Sequence, residues 1–195
     1  ASGEKKAINL LNKRLNHWIN NNQPYNGINW KCGQEASIRV MHLIMSAIIL
    51  KQHTKSLKPL TRLIEIHLKR IKPTIFYAIG QENNHGTSEA AALFCGGHFL
   101  YVNGLKKYKR YSNIGRKWIE NRSNKLFSND GCFSQYSVNY HRLVLDTYSF
   151  IESYRLINNL PRFSSNLYSK LIKATEWLEI LLDSNTGKVP NIGAN

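Results

Sequence analysis

Nowhere in this chain do apolar and polar residues alternate over the length of a strand. Apolar residues recur three or four positions apart instead, segment after segment, which points to an all-α fold of packed amphipathic helices. Ile8, Leu11, Leu15, Trp18 and Ile19 predict a first helix over residues 5–20. Six more are predicted over about 34–52, 58–79, 87–103, 112–126, 135–158 and 165–182. Pro73 should kink or divide the third. The sixth carries apolar residues on more than one side, as suits a helix surrounded by others. Mostly short connections favour antiparallel helical hairpins. At 195 residues, one domain with a substantial core is expected.

Charge narrows the partner. With 27 Lys and Arg against 12 Asp and Glu, the net charge is +15. That favours an acidic partner: nucleic acid, an anionic membrane surface or a polyanionic glycan. The densest basic run, Lys106–Arg110, reads more simply as a solvated helix face. No apolar stretch approaches the roughly 18 residues of a membrane span. Cys32, Cys95 and Cys132 are too far apart for metal-ligand spacing and read as buried small apolar residues. No metal ligands and no cofactor are assigned. Nucleotide-binding, zinc-protease and serine-hydrolase motifs are absent. The chain opens without a signal peptide, as a mid-protein stretch would.

Two stretches stand out. Gln81–Glu89 reads as a polar loop feeding a helix, with Thr87, Ser88 and Glu89 in its first turn and Glu89 complementing the helix dipole. Asn84 and His85 beside such an end could hold a carboxylate; a simply capped loop is the plainer explanation. Ala90, Ala91, Ala92, Gly96 and Gly97 allow another element to approach closely. The second stretch is Asp130–Arg142. There Tyr136 and Tyr140 are predicted to share a helix face, and Arg142 can reach Asp146. A Tyr beside cations can move protons; a buried Tyr with a satisfied hydroxyl is the alternative. On the second helix, Glu35, Arg39, His42 and Ser46 share a polar face, facing either solvent or a cavity. The loops at Tyr25–Trp30, Gln81–Gly86 and Ser128–Ser134 precede alternate helices, so they should gather at one end.

Asn-Asn-His-Gly-Thr-Ser-Glu-Ala at 83–90 and Asp-Gly-x-Phe-x-Gln-x-Ser-x-Asn-Tyr-His-Arg at 130–142 resemble the heparinase II/III-type polysaccharide lyases and their alginate-lyase relatives. Gly27–Trp30 followed by Glu35 and Arg39 is similar to the family's aromatic loop and next helix, and Gly187–Gly193 to a later loop. The resemblance implies an incomplete α/α toroid of helical hairpins. It also implies that residues 1–195 are a fragment, with the family's β-sandwich lying beyond them.

By the same resemblance, the complete protein cleaves a uronic-acid-containing polysaccharide by β-elimination. Asn84 and His85 would contact the substrate carboxylate or sugar, and Tyr140 would be base, acid or both. Glu35, Arg39, Gln135, Tyr136 and Arg142 would position substrate, while Trp30 and Tyr25 could stack on sugar rings. The partner expected is an acidic polysaccharide or oligosaccharide, met in the periplasm or outside the cell. A non-catalytic acidic-glycan-binding domain, active in polysaccharide assembly or export, is the alternative. The two motifs put nucleic acid last among the partners.

Overall fold

The computed structural model describes residues 5–193, and those residues form helices and loops without a sheet. The helices are α1 (Lys5–Asn21), α2 (Gly33–Ile49), α3 (Lys58–Ile71), α4 (Ile75–Gly80), α5 (Asn84–Val102), α6 (Lys109–Leu126), α7 (Val138–Ile157) and α8 (Ser165–Ile180). The expected all-α class is what is found. The predicted third helix is divided into α3 and α4 by a 3-10 turn over Lys72–Thr74, where Pro73 cannot donate to the helical ladder.

α5 is the centre of the molecule. Fifteen of its residues are buried, on every side, and it packs against α2, α3, α4, α6 and α7, with α8 lying over α6 and α7. Small residues make this possible. A Cβ on Gly97 would stand 2.4 Å from the Ser112 backbone nitrogen, and one on Gly115 would stand 2.3 Å from that of Phe94. The α5 and α6 backbones therefore touch at glycines. On the opposite side Gly96 admits Val40 of α2 and Leu68 of α3. The apolar core runs continuously from Ile44 through Leu93 and Phe99 to Tyr148 and Tyr154.

Two predicted helix starts move. α5 begins at Asn84, three residues before Thr87, because Asn83 caps it by accepting from the His85 N–H. Glu89 is therefore in the second turn, away from the first-turn donors. α7 begins at Val138, with Ser137 as its cap. Tyr136 lies outside it in the left-handed region, at φ 48°. Tyr136 and Tyr140 thus share no helix face.

Candidate functional site

The first turn of any helix leaves N–H groups without intrahelical partners. At α5, side chains meet two of them. Asn83 Oδ1 accepts from His85, and Gln135 Oε1 accepts from the Asn84 N–H at 2.9 Å. The second bond joins the two sequence motifs directly. Ser134 Oγ also donates to the Glu82 carbonyl at 3.2 Å, and Lys125 lies 3.7 Å from the Glu82 carboxylate. Glu82 has φ 49° and Tyr136 φ 48°. Left-handed backbone costs roughly 1–2 kcal/mol at a residue with a Cβ, and here two such residues stand where the two loops lock together.

With those backbone donors engaged, what the α5 end offers a ligand comes from side chains. Asn84 is 2% exposed, and its Nδ2 has no hydrogen-bond partner among the described residues. An amide left so costs about 1–3 kcal/mol. His85, next in sequence, is half-buried, and burial lowers its pKa, so it is neutral near pH 7. Tyr140 stands in the first turn of α7, half-buried against the core, with its N–H donated to Ser137.

The Gly187–Gly193 segment closes on the same end. Ile192 O accepts from the Val138 N–H at 3.0 Å, and Asn139 Nδ2 donates to Asn191 Oδ1 at 3.0 Å. Gly193, at φ 89°, lies so close to Ser137 that a Cβ would stand 2.6 Å from the Ser137 Cα.

The Tyr25–Trp30 loop is held differently from the expectation. Trp30 is 2% exposed, so it is no open platform for a sugar. Trp18, Tyr25 and His67 surround its ring at centroid distances of 6.0, 5.6 and 4.6 Å. Its Nε1 donates to Asn22 O. Burial outweighs ring availability here because the aromatic cluster ties α1 and the loop to α3. Tyr25 is the exposed aromatic, with its hydroxyl bonded to Ile66 O at 3.2 Å.

Arg39 is part of the same clamp. It donates to His67 Nε2 at 3.1 Å and to Asn29 O at 2.5 Å, and its guanidinium lies over Trp18 and Trp30. Burial lowers its pKa, against the raising pull of Glu35 and Cys32. Glu35 is exposed and 3.9 Å away, a weak pair. His67 is held neutral, mainly by burial, at about 4. Arg142 and Tyr136 are exposed, and no ion pair joins Arg142 to Asp146 among the described residues. The structure therefore brings together Asn84, His85 and Gln135, with Tyr140 at the neighbouring helix start. Trp30 and Arg39 lock the loop.

Glu89 was singled out in sequence only as a dipole complement. It is 3% exposed, with Oε2 unpartnered among the described residues. Gly33 opens α2 against it, and a Cβ there would stand 2.2 Å from Oε1. Burial raises the Glu89 pKa to about 7, against the charge of Arg70. Arg70 anchors the aromatic loop by donating to the carbonyls of Trp30 and Lys31. Glycine at the α2 start was the available signal, but only its distant neighbour gives it meaning. His141 is likewise buried: Nε2 lies 2.8 Å from Ala174 O, the ring stacks on Trp177 at 4.6 Å, and Nδ1 has no partner among the described residues.

Cys95 is buried as expected, whereas Cys32, at the start of α2, and Cys132, in the connection between α6 and α7, are half-buried; all three are free. Among the described residues no group of His, Cys, Asp and Glu is arranged to hold a metal ion. Among the described residues no helix is long and apolar enough to cross a membrane. No family model, curated protein or solved structure matches the chain.

Proposed function

We propose that this chain is the helical part of a polysaccharide lyase that cleaves a uronic-acid-containing glycan by β-elimination. The observation that carries this proposal is the unpaired, buried amide of Asn84, positioned by Gln135 from the second motif. The C5 proton of a uronate is weakly acidic, and its removal drives charge onto the C6 carboxylate. Donors aimed at that carboxylate stabilise the transition state more than the ground state. Asn84 Nδ2 and the neutral His85 ring would be those donors. Asn84 is 2% exposed, so this reading requires its cover to open when substrate enters. The Tyr140 phenolate would take the C5 proton. The C5–H electrons form the C4=C5 bond, the C4–O4 bond breaks, and the phenol protonates O4 of the leaving sugar. The packing of α5 against α2, α6 and α7, with α8 against α6 and α7, supports a segment of an α/α toroid as the scaffold.

The test is ultraviolet absorbance of the unsaturated uronate, followed on a panel of acidic glycans. Asn84→Ala and Tyr140→Phe should each lower kcat by about 100-fold or more while far-ultraviolet circular dichroism is unchanged. Variants that cleave as fast as the parent refute the assignment. The net charge of +15 favours one second reading, a glycan-binding domain without catalysis. It predicts saturable binding to one acidic glycan with no absorbance change. Binding that tracks salt alone, alike for DNA and glycans, would refute both.

A further inference from the structure

We infer that a cavity between the second half of α5, the first half of α6 and the 158–163 connection is a separate binding site for a small polyhydroxylated acid. The cavity is about 370 Å³, within the size range of small-ligand sites. His98, which lines it, lies 14 residues beyond Asn84 on the same helix, roughly 21 Å along the axis. The cavity therefore does not belong to the α5 N-terminal site, and the inference does not depend on the lyase proposal.

Its polar lining is uncommitted. Ser112 is 8% exposed, yet its hydroxyl has no partner among the described residues. Ser37, Thr147 and Thr175 all turn theirs back to the preceding helical turn. The exposed Asn113 amide likewise has no partner among the described residues. His98 Nδ1 is occupied by the Tyr154 hydroxyl at 2.9 Å, which leaves Nε2 for the cavity. Burial lowers the His98 pKa, so the ring is a neutral hydrogen-bonding group.

The lining also sets the charge and shape of the ligand. Lys109 has no ion-pair partner among the described residues and sits 5.5 Å above the Tyr101 ring. No carboxylate lines the cavity. Arg116 is already committed: it donates to the carbonyls of Pro161 and Arg162 and lies over the Phe163 ring at 4.4 Å, fixing the wall. One free cation recognises one acidic group. Ser112, Asn113 and His98 suit hydroxyls, and Phe94 and Tyr101 supply an apolar face. A carboxylate and a phosphate would both satisfy the cation.

The test is a titration of the 195-residue chain with glucuronate, glucose 6-phosphate and glucose, by calorimetry and histidine-ring NMR. At least one acid should saturate a single site and shift the His98 ring resonances, and glucose should not. Which acid binds identifies the anionic group. Lys109→Ala and Asn113→Ala, both at exposed positions, should each weaken binding about tenfold. Uronate bound only at the α5 N-terminus would shift His85 instead of His98. That result, the absence of binding by either acid, or unchanged affinity in the Lys109→Ala and Asn113→Ala proteins would overturn the inference.

Discussion

Replacing Glu89 with Gln isolates the cost of a carboxylate enclosed between α5 and the start of α2. Burial raises its pKa from 4.5 to about 7, while Arg70 pulls the other way. At 1.36 kcal/mol per unit, that shift corresponds to roughly 3 kcal/mol of native-state destabilisation at high pH. The positive end of α2, against which the carboxylate lies, offsets about 0.3–1 kcal/mol, which leaves about 2–3 kcal/mol. The sign follows from proton binding. Between pH 4.5 and 7 the native state holds a proton that the unfolded chain has lost, so stability falls as pH rises through this window. Gln has the shape of the protonated acid and does not titrate. Urea unfolding of both proteins from pH 4 to pH 9 checks the prediction. Glu89→Gln should equal the parent near pH 4 and exceed it increasingly up to about pH 8. A difference that is constant with pH, or a variant less stable at pH 8, would refute the enclosed-carboxylate account.

Glu65 should behave in the opposite sense. Burial alone would raise its pKa, but the Tyr108 hydroxyl at 2.7 Å, with Lys69 and Arg62, brings it to about 2. Its stabilisation, roughly 3 kcal/mol before the exposed cations are discounted for solvent screening, is complete above pH 4.5 and lost as pH falls toward 2. Glu65→Gln should therefore lose stability at pH 7 and converge on the parent in acid, read by the same unfolding series. Gly115→Ala forces a methyl against the Phe94 and Ala90 backbones. It should cost about 1–3 kcal/mol, and an unchanged thermal midpoint would contradict the contact. Trp30→Ala should cost about 3–5 kcal/mol, whereas Tyr25→Ala costs little. If Trp30→Ala unfolds like the parent and loses only glycan binding, Trp30 is a sugar platform after all.

Much of the helical framework was legible because it is local. The 3.6-residue period marked the segments, and Pro73 marked the break between α3 and α4, since both act through neighbours in sequence. The run of small residues in α5 announced close packing, though not against what. The helix starts were less legible. Asn83 and Thr87 are both acceptable caps by residue type, and the choice of Asn83 came with the loop that brings Gln135 to the Asn84 N–H. Tyr136 and Tyr140 have helical spacing, but spacing cannot foresee the left-handed turn at Tyr136.

The sequence by itself determined the all-α class, most of the helical segments, the strongly basic charge and the two polar stretches. Only the tertiary structure decided what those residues face. It buried Trp30, set Arg39 to clamp the aromatic loop, enclosed Glu89 against Gly33, and left the Asn84 amide unpaired beside the second motif. The physical reason is that helical period is written in residues three and four apart. Desolvation and hydrogen-bond pairing are set by residues about 50 positions away, as Asn84 and Gln135 show, and packing alone brings those together.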